Sequence, residues 1–240
     1  MPAADTPVAA TPSASSPTTV ATQNAGGLPG GRNPEKATLF YRFTRVVVWL
    51  VGKTLFRLEV HGADRIPKAG GVLIVSNHQS NLDPPVLGVG LDRPVAFLAK
   101  SQLFEFGPFA TLIRALNAFP VRIGAGDVGA LRESIRLLQA GWILNVFAEG
   151  SRSADGELQP AQKGAGLMIK KAGVPVVPAI VDGTFKAWPR GKLLPRPSKV
   201  VVSFGEPVDL SGKKADEIRQ WTDDTLASML ADVRSGRVKK

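Results

Sequence analysis

Hydrophobic positions along this chain fall into short unbroken runs rather than a single long period. Each run stops at a polar or glycine-bearing turn. The clearest is Val72 to Val75, four aliphatic residues after Gly70-Gly71 that give way at once to Ser76, Asn77 and His78. A run without polar alternation predicts a strand buried on both faces. Similar runs over Pro94 to Lys100, Trp142 to Phe147, Val174 to Val181 and Lys199 to Phe204 predict further strands. Pro175 and Pro178 would place the Val174 strand at an edge or an irregular position, because proline cannot donate to a ladder.

Between the runs the period changes to that of a helix. Val128, Leu131, Ile135 and Leu138 form one stripe, with Asp127 as its cap and Gly141 as its stop. Ser101 to Ala118 reads as a helical region broken at Gly107-Pro108, and Ala165 to Ala172 as a short helix closed by Gly173. A last helix from Ser211 carries Ile218, Trp221, Thr225, Leu226, Met229, Leu230 and Val233 on one broad face. Helix between strands implies a parallel crossover. The expected fold class is therefore α/β, a mixed and largely parallel sheet flanked by helices.

The two ends depart from this pattern. Residues 1–34 are mostly Pro, Ala, Thr, Ser and Gly with no apolar period, a composition that cannot offset chain entropy, so a disordered tail is expected. They show neither the basic start nor the apolar stretch of a secretory leader. Residues 35–58 are helical in length but interrupted by Arg42, Arg45, Lys53 and Arg57, and the longest uncharged run, Val46 to Gly52, is far short of the ~20 residues that span a bilayer. Two readings stand side by side: a helix lying in the headgroup zone with its aromatics inserted, or one packed on the domain. Residues 59–235 make the principal domain, and 236–240 a basic end.

Charge narrows the partners. The chain carries a net +10, and leaving out residues 1–31, whose single charge is Asp5, raises this to +11. That excess favours an anionic partner: a lipid surface, a nucleotide-bearing cofactor or nucleic acid. No DNA- or RNA-reading pattern accompanies it, so a basic nucleic-acid-binding module is the non-enzyme alternative. Thr184 to Phe204 holds Lys186, Arg190, Lys192, Arg196 and Lys199 without an acid, which suits a membrane-facing patch, a site for a donor's phosphates, or a solvated loop. There is no cysteine, which excludes disulfides, thiolate zinc sites and a cysteinyl acyl intermediate in this chain. Two histidines without clustered carboxylates make a poor metal site, and none is expected.

Candidate chemistry lies in the turns. Where the Val72 strand ends, at the edge where open α/β sheets bind ligands, stand His78 and Asp83. Asp83 before Pro84 reads as a helix N-cap. Neutral imidazole can take a proton from a hydroxyl, and a carboxylate on its other nitrogen would fix the tautomer. His61, ahead of the strand and at its opposite end, reads as structural. At the exit of the Trp142 strand, Glu149-Gly150-Ser151-Arg152 brings an acid, a glycine, a hydroxyl and a guanidinium together, a set that can cradle phosphate. Lys100 ends another strand.

Taken together, these stretches resemble the four signatures of the glycerolipid acyltransferases, the family of 1-acyl-glycerol-3-phosphate acyltransferases. The first is Asn77-His-x-Ser-x-x-Asp83. The second is Ala99-Lys-x-x-Leu-Phe-x-x-x-Pro108 with Asn117-Ala-Phe-Pro-Val-Arg122, where Asn117 replaces a common glycine. Phe147-Ala-Glu-Gly-Ser-Arg-Ser153 is similar to the third, with Ala148 for proline and Ser151 for threonine, and Val174-Pro-Val-Val-Pro178 to the fourth. They occur in the family's order and cover close to half the chain.

The resemblance implies an acyltransferase in which His78 and Asp83 activate an acceptor hydroxyl. It further implies that Glu149, Gly150, Ser151, Arg152, Lys100 and Arg122 hold a phosphorylated glycerol. The expected reaction moves a fatty acyl group from acyl-CoA or acyl-ACP, a co-substrate and not a bound cofactor, to 1-acyl-glycerol-3-phosphate. Another lysophospholipid or glycerol 3-phosphate is the alternative acceptor. The expected location is the cytoplasmic face of the membrane, peripheral or monotopic, against anionic lipids, with no nucleic acid.

Overall fold

The computed structural model describes residues 33–121 and 128–238, all within one compact unit, Arg32–Lys240. The tail through residue 32, the cap Asp127, the cation Arg122 and the last two lysines fall outside the described residues.

Seven strands form one sheet in the order β1-β7-β6-β2-β5-β3-β4. They are β1 (Glu59–His61), β2 (Val72–Ser76), β3 (Val95–Lys100), β4 (Ala118–Val121), β5 (Ile143–Phe147), β6 (Val176–Asp182) and β7 (Val201–Phe204). All pairs are parallel except β6 with β7, so β1 and β7 run against the rest. The mixed, largely parallel sheet expected from the run pattern is the fold.

The helices are α1 (Leu39–Leu55), α2 (Asp83–Val89), α3 (Gly107–Ala115), α4 (Val128–Gln139), α5 (Lys163–Ala172), α6 (Thr184–Ala187) and α7 (Ala215–Arg234). The crossovers β2-α2-β3 and β4-α4-β5 travel in opposite directions along the sheet, so right-handedness puts α2 and α4 on opposite faces. Accordingly α1 packs on α2, whereas α4, α5 and α7 pack in succession on the other side. β2 lies in the middle of the sheet, and all five of its residues are buried. Val72 and Ile74 join Phe56, Leu58, Val86, Leu87 and Phe204 in the core under α1 and α2.

Helix α1 settles onto the domain along one side only. Thr38 caps it by accepting from the Tyr41 amide at 3.1 Å, Tyr41 accepts from the Val95 amide at 3.3 Å, and Arg45 donates to the Leu91 carbonyl at 2.6 Å. Gly52 lets the helix close on Leu58, since a Cβ there would come within 2.8 Å of that side chain. The opposite side leaves Leu39, Phe43, Val46, Val47, Leu50 and Val51 exposed. The segment is thus packed on the domain along one side and exposes an apolar row on the other. Among the described residues no helix is long and apolar enough to cross a membrane.

Several expectations are corrected. Asp83 is the first residue of α2, not its cap, and its carboxylate turns back into the preceding turn. β6 is an interior strand, so of the two positions its prolines allow it takes the irregular one, not the edge. Its neighbour ladder with β7 ends at Ala179, and the next bridge is Val176 with Val208, so the missing amide falls in the gap between them. α4 buries Ser134, Leu137 and Leu138, whereas Val128 is exposed. Ser134 is tolerated inside because its hydroxyl donates to the Ala130 carbonyl at 2.7 Å. α7 starts at Ala215, four residues after Ser211.

Candidate active site

Because β2, β5 and β6 are parallel neighbours, their carboxyl ends line up at one edge of the sheet. Three polar turns therefore meet there: residues 77–83 after β2, 148–153 after β5 and 183–188 after β6. Only the first two are marked by the sequence.

Within the first turn, His78 Nδ1 lies 2.8 Å from Asp83 Oδ2. That same oxygen accepts from the amides of Gln79 at 2.6 Å and Ser80 at 2.8 Å. Oδ1 accepts from the Thr184 hydroxyl at 2.5 Å. Since these other partners are donors, Asp83 also serves as acceptor to the imidazole. Nδ1 then carries the proton and Nε2 is left as the basic nitrogen. The Asp83 side chain is fully buried and that of His78 is 17% exposed. The imidazole stacks on Phe147, with ring centroids 3.8 Å apart and planes 12° from parallel. Neither Phe147 nor Thr184 is singled out as a site residue by sequence reasoning, because their contacts with this turn arise only from strand order.

The second turn is tied to the first through the main chain of His78. The Ser153 amide donates to the His78 carbonyl at 2.7 Å, and the His78 amide donates to Glu149 Oε1 at 3.4 Å. Gly150 takes a left-handed φ of 69°, and a Cβ on it would press on Gln162, so the position suits glycine. Burial pushes the Glu149 carboxyl from 4.5 up to about 7, and the nearby Asp83 and Asp155 charges add to this. Amides of His78 and Gln159 pull the other way. Glu149 Oε2 has no hydrogen-bond partner among the described residues.

The remaining sequence candidates are placed as follows. Ser151 is exposed and Arg152 half-buried in the Glu149 turn, and the Arg152 guanidinium makes no hydrogen bond or ion pair among the described residues. Lys100 is exposed at the carboxyl end of β3, which pairs with β5, so it stands on the same side of β2 as Arg152. His61 ends β1, which runs against β2, and lies 3.7 Å from Glu59. Through β7 it is level with Ile180 near the carboxyl end of β6, not at the opposite end of the sheet as expected, and the two strands β7 and β6 between β1 and β2 keep it out of the site. No group of three or more metal-binding side chains occurs among the described residues.

A buried carboxylate holding an imidazole by one nitrogen, beside a glycine turn with an unengaged guanidinium, is equipped to deprotonate a hydroxyl on an anionic molecule. The acyltransferase family model matches residues 57–182, which is more than half the chain, contains the first two turns and ends at Asp182, the last residue of β6. This chain belongs to the acyltransferase family.

Among its relatives, the 1-acyl-sn-glycerol-3-phosphate acyltransferase of Bacillus subtilis (strain 168) is 27% identical over 184 residues, 76% of this chain and 87% of that one. The chloroplastic 1-acyl-sn-glycerol-3-phosphate acyltransferase BAT2 of Brassica napus is 30% identical over 154 residues, 63% of this chain. The match spans only 43% of that relative's length. The crystal structure of the 1-acyl-sn-glycerophosphate (LPA) acyltransferase PlsC from Thermotoga maritima superposes with a TM-score of 0.69 at 31% identity, over 80% of this chain and 79% of that one.

In this member of the family the departures from the signatures have local explanations. Asn117 adopts φ of 61°, the left-handed region that glycine fills freely and asparagine tolerates. Ala148 is buried, its amide donates to the Ser76 carbonyl at 2.9 Å, and its carbonyl accepts from Gln162 at 2.8 Å. A proline would forfeit the first of these bonds, so alanine extends the β2–β5 ladder by one step.

Proposed function

We propose that this protein transfers a fatty acyl group from a thioester, acyl-CoA or acyl-ACP, to the free hydroxyl of 1-acyl-glycerol-3-phosphate, releasing phosphatidic acid and the free thiol. The observation that carries this reading is the 2.8 Å contact between His78 Nδ1 and Asp83 Oδ2 in a turn bonded on both sides of His78 to the Glu149–Ser153 corner. The acceptor is taken from the relatives, which are 1-acyl-sn-glycerol-3-phosphate acyltransferases.

In the proposed mechanism Nε2 of His78 takes the hydroxyl proton as the oxygen attacks the thioester carbonyl. Asp83 balances the imidazolium that forms. Collapse of the tetrahedral species breaks the carbon–sulfur bond, and the imidazolium returns its proton to the departing thiolate. Direct attack suits a chain without cysteine. Arg152, with Lys100 and Arg122, anchors the phosphate. The close approach allowed at Gly150 and the Ser151 hydroxyl complete the socket, and Glu149, bonded to the His78 amide, holds its corner against the histidine turn. Anchoring makes the encounter of hydroxyl and base effectively unimolecular, which is where much of the acceleration comes from.

The substrates are lipids, so the site must work at a membrane surface. The outward apolar row of α1, flanked by Arg42, Lys53 and Arg57, suits the headgroup zone of anionic lipid on the cytoplasmic face.

Purified full-length protein with radiolabelled acyl-CoA or acyl-ACP and a panel of lysolipids plus glycerol 3-phosphate tests the proposal. Label should enter phosphatidic acid fastest from 1-acyl-glycerol-3-phosphate. Preference for another lysophospholipid or for glycerol 3-phosphate would replace the acceptor, and no transfer to any of them would overturn the reading.

A further inference from the structure

The Asp83 carboxylate makes four short contacts, and one of them comes from far away in the sequence. Three reach Oδ2 from residues 78–80 of its own turn. Among the described residues Oδ1 has a single partner, the Thr184 hydroxyl, 101 positions later in the chain. Both side chains lie in fully buried residues.

The direction of the Thr184 bond is determined by its surroundings. Gln79 Nε2 donates to the Gly156 carbonyl at 2.6 Å, which turns its Oε1 toward Thr184, 3.4 Å away. The threonine hydroxyl therefore sits between two acceptors and must donate, and the nearer acceptor is Asp83. Thr184 is held in place by its own short turn. Gly183 enters that turn at φ of 91°, where a Cβ would strike the Lys199 carbonyl, and α6 closes with the Ala187 amide on the Gly183 carbonyl at 2.9 Å. Its far end is fastened too, since the Ser80 hydroxyl donates to the Trp188 carbonyl at 2.8 Å. The α6 turn is thus clamped to the histidine turn at both of its ends.

We propose that Thr184 is a positioning residue for acyl transfer: its hydroxyl fills the only otherwise unserved oxygen of Asp83 and so keeps that carboxylate an acceptor toward His78. The inference rests on the assignment of His78 as the base. Without the hydroxyl, Oδ1 is a buried acceptor with nothing to accept. The carboxylate is then oriented by its own turn alone, and an Asp83 that swings away from His78 no longer fixes or balances the imidazolium. Thr184 follows β6, whereas Arg152 and Lys100 follow β5 and β3 on the other side of β2. Its loss should therefore slow turnover and leave acceptor binding alone.

The test uses full-length protein, acyl-CoA and 1-acyl-glycerol-3-phosphate, with melting curves for every variant. Hydrogen bonds to buried charged groups predict that Thr184→Val, isosteric but without the donor, lowers kcat by roughly tenfold or more with the acceptor KM unchanged. Thr184→Ser should retain near-normal kcat. In a His78→Ala background Thr184→Val should change the residual rate less than about twofold, because its effect passes through the histidine. Wild-type kcat in Thr184→Val, equal losses in the serine and valine variants, or an undiminished loss in the His78→Ala background would each overturn the proposal. If Thr184→Val does not fold, loss of kcat in a folded Thr184→Ser would overturn it instead. Normal activity in His78→Ala alone would instead remove the base assignment on which the inference rests.

Discussion

Replacing Glu149 by glutamine should alter how stability depends on pH. The Glu149 residue is only 4% exposed, and Oε2 has no partner, so its ionised form is held in a poor environment. Moving a carboxyl from 4.5 to about 7 corresponds to about 3 kcal/mol of preference for the protonated form in the folded protein. Between those two values the folded chain keeps the proton that the unfolded chain has released. Stability therefore falls as pH rises from about 4.5, and the loss is complete above about 7.

Glutamine has the shape and neutrality of the protonated acid and does not titrate. Wild type and Glu149→Gln should thus be close in stability near pH 4.5 and diverge to about 3 kcal/mol by pH 8, the variant being the more stable. Urea denaturation of both proteins across that range measures the difference, and every group they share cancels from it. A difference that stays constant with pH would refute the reasoning, and one that grows toward acid would reverse its sign.

Other expectations follow from the same geometry. Arg152→Ala should raise KM for 1-acyl-glycerol-3-phosphate by roughly tenfold or more with little change in kcat, since a charged hydrogen bond to phosphate is lost; steady-state kinetics showing a fall in kcat alone would contradict that role. The double change Phe43→Ser and Leu50→Ser on the outward side of α1 should weaken binding to anionic vesicles by roughly tenfold or more, given about 1.5–3 kcal/mol for burying each such side chain. Sedimentation with the vesicles reads this directly, and unchanged partitioning would show that this face does not enter the lipid.

Much of this architecture can be read from the chain because its signals are local. β2 is an unbroken aliphatic run, the histidine turn is an abrupt polar stop, and the spacing of His78 and Asp83 lets them meet within one bend. The sheet's outer strands are not legible in the same way. β1 has three residues and β4 four, one of them Pro120, too few to establish a period. The buried side of α4 is misjudged because Ser134 reads as polar until its bond to Ala130 is seen. Pro175 and Pro178 leave an edge and an irregular position open, and the choice is made only by strand order, which puts the missing donor of Pro178 where two ladders separate. Thr184 carries no sequence signal, since its meeting with Asp83 depends on β6 lying beside β2. Local chemistry is visible in sequence, and partners supplied by strand order are not.

The most direct measurement of the central idea is the rate at which His78→Ala forms phosphatidic acid from acyl-CoA and 1-acyl-glycerol-3-phosphate. Loss of the general base predicts a fall in kcat of roughly 10² to 10⁴, with the protein still folded and the acceptor KM little changed. A His78→Ala protein that turns over within a few fold of wild type would contradict the account.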